Sequence, residues 1–544
     1  MKLRFSEPAT VTSASMLLLG LLALINSADS TFQFASYYGH HMVLQQRPAR
    51  AVVWGYGDVG SRVTVSLIRG MDTYTKRTLI ITGNEGIWKV LLDPMDHGGP
   101  YQLVAQQFTG KEVISIHLDD ILFGDVWLCS GQSNMEMTVS QIFNASKELA
   151  QASRYPYVRL FTAALETSAV ELQDLAKVDL EWSLPTAKNL GHGDFTYFSA
   201  VCWLFGRDLA RKLKYPIGLV ESSWGGTPVE AWSSKTALHK CGLHQLPEDM
   251  RLRSEYYIIL AGPCDYSVLW NAMVHPLLNM TIKGAIWYQG EQNTGMNPNL
   301  YNCTFPALIQ DWRRAFHEGS LGQTDPSFPF GFVQLSTYLK SQPHDNYPVI
   351  RWHQTADYGF VPNPKMPNTF MAVAMDLGDE TSPYGSVHPR DKQTVAYRLY
   401  LGARAIAYGK KSVPFKGPFP VSVDVYYAYS YMNITYDQDL LITHTQDDIF
   451  EIFCNTGMNA DGQEGLTWLP VRDPWQSVSS RVITLSFKSC PHIAGIRYAW
   501  SDWPCDYKQC PIYSVRKSLP APLFVKYFTK MNFETFHKNR RPFL

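Results

Sequence analysis

The feature that most constrains the fold is residues 126–137, VWLCSGQSNMEM, in which an apolar run ends abruptly in a polar turn. Such a run is typical of a buried β-strand that presents a polar group at the rim of a sheet. The hydroxyl presented here belongs to Ser133. A serine alone has too high a pKa to act as a nucleophile, so the fold must bring a base to it. We therefore interpret this stretch as the nucleophile turn of a serine esterase.

Strand-like and helix-like segments alternate between residues 119 and 412, which predicts an α/β domain. Continuous apolar strands joined by helices indicate a parallel sheet covered by helices. The predicted strands are 217–222, 284–288, 330–335 and 369–375, and the predicted helices are 142–154, 198–214, 301–316 and 392–408. Because ligands bind at the carboxyl ends of such strands, residues that follow them belong to one edge. We place Ser133, Gly226, Gln289 and the loop residue His388 at this edge.

Two antiparallel β domains are predicted to flank this core, over residues 29–118 and 413–544. Both regions contain short segments rich in β-branched residues and separated by turn residues. Residues 55–60 match the pattern GxGxxG, but a strand rather than a helix is predicted to follow. A dinucleotide site needs a helix at that point to hold the pyrophosphate. We therefore predict no cofactor.

The first 28 residues are predicted to be a secretory signal peptide. Lys2 and Arg4 precede an apolar run at 16–25, which is too short to span a bilayer and is followed by small residues. No later stretch is long and apolar enough to predict a membrane span. N-x-S/T triplets support export as glycosylation acceptors at Asn144, Asn279, Asn302 and Asn433.

The cysteine content is consistent with export, and the charge balance bears on possible partners. Nine cysteines in an exported chain predict disulfides and one free thiol, with a local bridge in the cluster at Cys490, Cys505 and Cys510. We predict no metal site, because the spacing of that cluster does not suit zinc. Lys+Arg and Asp+Glu both total 48, so net charge offers no reason to expect a nucleic-acid partner.

Ester hydrolysis requires a base and an oxyanion hole, and the predicted sheet edge offers candidates for both. His388 is the candidate base, since the pKa of histidine lies near the working range. The backbone N–H groups of Ser133 and Gly226 are candidate oxyanion donors, and Gln289 and Asn293 compete to supply a side-chain amide. The surroundings of Ser133 do not fit GxSxG, so the nucleophile elbow of α/β-hydrolases is absent.

Four ordered blocks resemble the sialate O-acetylesterase family, a carbohydrate-esterase branch of the SGNH hydrolases. The blocks are GQSNM at 131–135, SWGGTPVEAW at 223–232, WYQGE at 287–291 and HPRDKQ at 388–393. The resemblance continues at 496–500 and 519–522, and the segment 503–510 is similar to animal members. It implies an SGNH-like fold in which Ser133 attacks the acetyl group of 9-O-acetylated sialic acid and His388 is the base. It also implies that no metal or cofactor is needed, and a lysosomal or secreted location.

One position departs from the family pattern. SGNH enzymes usually carry an aspartate three residues before the histidine, and this chain has Gly385 there. Related carbohydrate esterases imply Glu291 as the acid that orients His388, with Asp376 or a backbone carbonyl as alternatives. Arg390 is a candidate for binding the sialate carboxylate, with a surface salt bridge as the alternative.

Two other functions remain open at this point. An acetylesterase of other polysaccharides, such as xylan, would use the same site. A non-catalytic glycan-binding protein is the alternative from a different class, because β domains flank the core.

Overall fold

The structure is a computed structural model that describes residues 32–528, except 111, 246–261, 341–345, 459–463, 473–474, 489, 491 and 517. The predicted signal peptide lies outside the described residues. The N-terminal region consists of short strands followed by one long strand. In chain order these are β1 Gln33–Phe34, β2 Val43–Gln45, β3 Val52–Tyr56, β4 Arg62–Arg69, β5 Asp72–Ile80, β6 Ile87–Leu91, β7 Gly98–Thr109 and β8 Glu112–Gly131. Residues 55–60 therefore lie at the end of β3 and in the turn before β4, with no helix after them.

The central region alternates strands and helices, as the sequence predicts. Its strands are β9 Val158–Ala163, β10 Val178–Ser183, β11 Ile217–Ser223, β12 Gly284–Tyr288, β13 Phe330–Gln334 and β14 Thr369–Val373. Its helices are α1 Ser133–Glu136, α2 Ala145–Gln151, α3 Ala187–Leu190, α4 Ala200–Leu213, α5 Lys235–Lys240, α6 Tyr301–Gly319, α7 Asn346–His353 and α8 Lys392–Ile406. Helices α4 and α8 pack against each other, α4 against β11, and α8 against β13 and β14.

The central sheet is mixed rather than purely parallel. Its strand order is β10-β9-β11-β8-β12-β13-β14, and every neighbouring pair is parallel except the edge pair of β9 and β10. Neither β9 nor β10 is among the strands predicted from the sequence. β10 has the alternating burial of an edge strand, whereas β9 is buried throughout. An antiparallel edge on an otherwise parallel sheet is common among α/β folds.

Strand β8 connects the N-terminal strands to the central sheet. Its first part pairs antiparallel with β7, and its last part, from Asp125 to Gly131, pairs in parallel with β11. One strand thus crosses the boundary predicted between residues 118 and 119. A single buried hydrophobic cluster extends through both regions. The direction of Ser133 is therefore set by a strand that is hydrogen-bonded along most of its length.

The C-terminal region forms antiparallel sheets around its own buried cluster. Its strands are β15 Pro420–Tyr426, β16 Tyr431–Tyr436, β17 Leu440–Ile442, β18 Phe450–Met458, β19 Glu464–Pro470, β20 Gln476–Ser479, β21 Val482–Ser486, β22 His492–Tyr498, β23 Ile512–Ser514 and β24 Phe524–Tyr527. Among the described helices, none is long and apolar enough to cross a bilayer.

Eight cysteines are paired and Cys264 is free and buried. The bridge between Cys129 and Cys202 ties β8 to α4, directly beneath the turn that carries Ser133. The remaining pairs are Cys241–Cys303, Cys454–Cys490 and Cys505–Cys510. The prediction of disulfides with one free thiol and a local C-terminal bridge is confirmed.

Candidate active site

Ser133 is the first residue of α1, immediately after the end of β8. The chain turns between these elements at Gly131, whose φ is +141°. A Cβ atom on Gly131 would lie 2.1 Å from the carbonyl oxygen of Tyr288 on the neighbouring strand. No side chain fits at that distance, so glycine is required for β8 and β12 to approach each other at this edge. The turn therefore holds the serine hydroxyl at the carboxyl edge of the sheet.

His388 lies against the serine hydroxyl. The distance from His388 Nε2 to Ser133 Oγ is 2.8 Å, although the two residues are 255 positions apart in sequence. On the other side of the ring, Nδ1 is 2.7 Å from the carbonyl oxygen of Tyr384. A carbonyl oxygen only accepts, so Nδ1 carries the hydrogen and Nε2 presents a lone pair to Ser133. This is the tautomer that a general base requires.

The surroundings of His388 favour its neutral form. Burial lowers the pKa of the imidazole, and the nearby positive charge of Lys392 lowers the pKa further. The hydrogen bond to the Tyr384 carbonyl acts in the opposite direction. A neutral imidazole in hydrogen-bond contact with a serine hydroxyl can accept its proton.

The structure does not place Glu291 against His388, so the predicted pairing of these two residues is wrong. The Oε1 atom of Glu291 instead accepts a hydrogen bond of 2.6 Å from Asn134 Nδ2. Asn134 Nδ2 also donates to the carbonyl oxygen of Val387, at 2.8 Å. Glu291 therefore reaches the histidine loop only through an amide. Among the described residues, the partner of His388 Nδ1 is a backbone carbonyl, one of the alternatives left open by the sequence.

Asp376, the alternative acid, does not contact His388 either, because its carboxylate is bound by other side chains. Its carboxylate forms a two-point ion pair with the buried Arg398, with N–O distances of 2.6 and 2.8 Å. A hydroxyl from Tyr513 of the C-terminal region adds a third hydrogen bond at 3.1 Å. Asp376 thus joins the central region to the C-terminal one. Gly385, which occupies the usual position of the aspartate, has a φ of +88° in the turn before His388.

A buried lysine completes the network behind the serine. Lys392 Nζ donates to Asn134 Oδ1 at 2.5 Å, and burial lowers the pKa of this lysine to about 7. Burial also raises the pKa of Glu291. The hydrogen bonds from Lys392 to Asn134 and from Asn134 to Glu291 Oε1 hold the side chain next to the nucleophile in one orientation, whereas Glu291 Oε2 is buried without a partner among the described residues.

Two backbone N–H groups near Ser133 are available to a ligand. Ser133 and Gly226 both line the cleft. Within the described part of the chain, neither N–H donates to a protein acceptor. Gly226 has a φ of +68°, a left-handed conformation that favours glycine. These groups have the unoccupied donors that an oxyanion hole requires.

Gln289 and Asn293 do not supply the predicted third donor. Gln289 Nε2 donates to Asn293 Oδ1 at 2.7 Å and to the Thr227 carbonyl at 3.1 Å. Asn293 Nδ2 donates to Glu230 at 2.8 Å and to the Met296 carbonyl at 3.0 Å. Both side chains are fully buried, with 0% of their surface exposed. Their amides hold neighbouring loops together and face no ligand.

Gln132 is a further candidate for a side-chain donor, and it is not among the residues predicted from the sequence. Its Oε1 accepts from the N–H groups of Gly290 and Gln292, each at 3.3 Å, which directs Nε2 away from that loop. Gln132 lines the cleft beside Ser133. The sequence signal for this role is that Gln132 directly precedes Ser133. That signal is weak, because a residue in a turn can point either into the cleft or away from it.

The cleft above these groups has a volume of about 890 Å³ and is lined by carboxyl groups. Glu136, Asp265 and Glu291 contribute to its wall, and no lysine or arginine does so among the described residues. Arg390, the candidate for the sialate carboxylate, lies in a separate groove. Its guanidinium pairs with Asp379 at 2.6 and 2.9 Å, which is the salt-bridge alternative left open by the sequence.

The four predicted glycosylation acceptors differ in exposure. Asn144 is exposed at the start of α2, and Asn433 and Asn302 are partly buried. Asn302 donates to Asp357 at 2.6 Å. Asn279 is buried, and its amide oxygen accepts from Lys89 at 2.6 Å. A glycan needs an exposed side chain, so the structure disagrees with the prediction at Asn279.

Comparisons with known proteins identify the class and then the family. A family model described as "Carbohydrate esterase, sialic acid-specific acetylesterase" matches residues 123–390. A second, described as "Sialate O-acetylesterase C-terminal domain", matches residues 421–528. Among solved structures, a carbohydrate acetylesterase from Xanthomonas citri superposes with a TM-score of 0.70 at 26% identity, over 91% of this chain and 99% of that one. The protein is an esterase of the carbohydrate-esterase class.

The curated relatives narrow this class. Sialate O-acetylesterases of Pongo abelii and Homo sapiens are each 53% identical over 520 residues, covering 94% of this chain and 97% of theirs. The protein of that name from Mus musculus is 51% identical over 532 residues, with the same coverage. The chain therefore belongs to the sialate O-acetylesterase family, and the resemblance stated from the sequence is confirmed.

Proposed function

We propose that this esterase removes O-acetyl groups, chiefly the 9-O-acetyl group, from sialic acids through an acetyl-Ser133 intermediate. The observation that carries the mechanism is the 2.8 Å contact between His388 Nε2 and Ser133 Oγ at the mouth of the cleft. Family membership supports the substrate class, since the relatives are named sialate O-acetylesterases. The arrangement of the site supports an SGNH-type fold.

In the first half of the reaction, His388 Nε2 accepts the Ser133 hydroxyl proton as Oγ attacks the acetyl carbonyl carbon. The carbonyl oxygen becomes an oxyanion that accepts hydrogen bonds from the N–H groups of Ser133 and Gly226, with Gln132 Nε2 as a third donor. When the tetrahedral intermediate collapses, the C–O bond to the sugar breaks. His388 then gives its proton to the sugar oxygen, which leaves as a hydroxyl.

The second half repeats these steps with water. His388 accepts a proton from a water molecule whose oxygen attacks the acetyl carbon of acetyl-Ser133. The same donors stabilise the second oxyanion, and the proton returns to Ser133 Oγ as acetate leaves. The Tyr384 carbonyl holds the imidazole in one tautomer throughout and stabilises the imidazolium through the Nδ1 hydrogen bond.

A second candidate function is deacetylation of a neutral polysaccharide such as acetylxylan. The observation in its favour is the absence of lysine and arginine from the described wall of the cleft, where three carboxyl groups lie. A sialate carboxylate would be repelled by these groups when they are ionised, whereas a neutral sugar would not.

We further propose that the protein travels the secretory pathway to the lysosome or the cell exterior. Four disulfides support this route, because such bonds persist in oxidising compartments. The exposed position of Asn144 is compatible with glycosylation there.

The decisive experiment measures acetate release from 9-O-acetyl-N-acetylneuraminic acid and from acetylxylan. It compares the wild type with Ser133→Ala and with Ser327→Ala, an exposed serine outside the cleft. Sialate turnover that is lost only in Ser133→Ala would support both the substrate and the nucleophile. Xylan turnover alone would favour the second candidate. Full activity in Ser133→Ala would refute the serine mechanism.

A further inference from the structure

One partly buried carboxyl group in the cleft has no part in the mechanism above. Glu136 ends α1 three residues after Ser133, so the two side chains lie on neighbouring positions of the same helical turn. The Oε2 atom of Glu136 accepts a hydrogen bond of 2.7 Å from the backbone N–H of Gly225. Gly225 immediately precedes Gly226, whose N–H is a candidate oxyanion donor.

The peptide between Gly225 and Gly226 is held in one orientation. Its carbonyl oxygen accepts from the N–H of Gly262 at 3.0 Å. In a trans peptide the N–H points opposite to the carbonyl, so this bond directs the Gly226 N–H away from Gly262. The preceding peptide is fixed at its N–H by Glu136. Two hydrogen bonds on consecutive peptides thus set the direction of the oxyanion donor.

The turn also packs directly on the nucleophile. A Cβ atom on Gly225 would lie 3.0 Å from Glu136 Oε2 and 3.2 Å from Ser133 Cβ. Ser133 and Glu136 are therefore packed closely around Gly225, and a side chain at this position would require one of them to shift. A shift of Glu136 would be transmitted to the position of the Gly226 N–H relative to Ser133 Oγ.

We propose that Glu136 is the positioning residue of the oxyanion hole, holding the Gly225–Gly226 turn against Ser133 through the Gly225 N–H. Nothing in this role requires a full negative charge, because a neutral carboxyl oxygen also accepts a hydrogen bond. Burial raises the pKa of Glu136 to about 7, which favours that neutral form. The neutral form leaves the neighbouring oxyanion free of repulsion. Glutamine, which keeps the acceptor and lacks the charge, should replace Glu136 in this role.

The inference rests on the proposed serine mechanism. Its test uses two substrates, so that failure of the proposed function and failure of the role of Glu136 can be distinguished. The full-length chain is assayed with 9-O-acetyl-N-acetylneuraminic acid and with p-nitrophenyl acetate. If the wild type cleaves only p-nitrophenyl acetate in a Ser133-dependent manner, the proposed substrate fails. The role of Glu136 is then decided on the second substrate alone.

We expect Glu136→Ala to lower kcat by about 10²-fold, the effect of losing one well-placed oxyanion donor, with little change in KM. Glu136→Gln should keep kcat within about threefold of the wild type, since it preserves the acceptor. Glu166→Ala is the matched control, because it removes a carboxyl from the adjoining side cavity without touching the Gly225 turn. Thermal unfolding of each variant verifies that it is folded.

Two results would overturn the proposal. One is wild-type kcat in Glu136→Ala, and the other is an equal loss in Glu136→Gln and Glu136→Ala. If Glu136→Ala does not fold, Gly225→Ala tests the same contact, because its methyl group would lie 3.0 Å from Glu136 Oε2 and that oxygen would have to shift by a few tenths of an ångström. A folded Gly225→Ala with wild-type kcat would likewise overturn the proposal.

Discussion

Two polar segments lie at the same edge of the central sheet, and they use their polar groups in opposite ways. The turn around Ser133 leaves its N–H without a protein acceptor among the described residues and offers its hydroxyl to His388. In the loop after β12, the Gln289 and Asn293 side chains hydrogen-bond to each other and to adjacent backbone, with no exposed surface. Both segments begin directly after a buried strand.

The difference shows that position at a sheet edge is not sufficient to identify a catalytic group. A polar side chain contributes to chemistry only if its hydrogen-bonding capacity remains open toward the cleft. Where that capacity is consumed internally, the same residue type stabilises the loops that carry the site. Substitutions in the two segments and at His388 test this division.

Replacing the base should have the largest effect. His388→Ala removes the acceptor of the Ser133 proton, and we expect kcat to fall by between about 10² and 10⁴-fold. Steady-state hydrolysis of p-nitrophenyl acetate measures this loss. His444→Ala, at an exposed position of the C-terminal region, is the control and should retain activity. A His388→Ala enzyme with near-normal kcat would show that another group accepts the proton.

Replacing Gln132 should lower activity with little effect on stability. We expect Gln132→Ala to reduce kcat by roughly 10²-fold, because the oxyanion loses one side-chain donor. The cost in the free energy of unfolding should be small, since the bonds to the Gly290 and Gln292 N–H groups are long, at 3.3 Å. Parallel measurements of kcat and urea unfolding distinguish these effects. A large loss of stability with unchanged kcat would show that Gln132 stabilises the loops and is not an oxyanion donor.

Asn293 should show the reverse behaviour. Asn293→Ala leaves the Val229 N–H without its acceptor, the Gln289 amide without one of its two acceptors, and Glu230 Oε2 without its donor. We expect the free energy of unfolding to fall by about 1–3 kcal/mol for unsatisfied buried groups, with a smaller effect on kcat. Urea unfolding followed by fluorescence measures the first quantity. A kcat loss as large as that of Gln132→Ala, at unchanged stability, would restore Asn293 as an oxyanion donor.

Glu291→Gln should be tolerated in catalysis. The amide oxygen of glutamine can still accept from Asn134, so we expect kcat to fall by less than about tenfold. Replacing a true triad acid with its amide costs about 10⁴-fold. A loss of that size in Glu291→Gln, with the protein folded, would contradict the assignment of the Tyr384 carbonyl as the group that orients His388.

The pH dependence should show the smallest effect. Catalysis requires neutral His388, so kcat/KM falls as the pH drops through the pKa of this residue. Burial and Lys392 lower that pKa, so activity should persist to a lower pH than an ordinary histidine would allow. Lys392→Met removes one of the two causes and should move the acidic limb of the profile toward higher pH. An acidic limb that stays in place would mean that the charge of Lys392 does not reach the imidazole.

The elements that position the site follow closely from sequence pattern. The strand at 284–288 and the start of α8 at Lys392 lie where periodicity predicts them, because buried strands and amphipathic helices have distinct repeats. The two missed strands β9 and β10 show where this fails. No local sequence signal marks these two strands. They are recognised only by their pairing in the sheet, where β10 forms the edge next to β9.

The sequence by itself determined the family and most elements of the central sheet, and it predicted Ser133 and His388 as the two residues that the structure brings into contact. These features depend on local periodicity and on short motifs, which can be recognised without knowing any tertiary contact. Only the tertiary structure decided which neighbours complete the site. Glu291, Gln289 and Asn293 have suitable chemistry and suitable positions, yet their partners lie on other segments of the chain. Which hydrogen bonds a side chain makes depends on packing between distant segments, and one sequence does not record that packing.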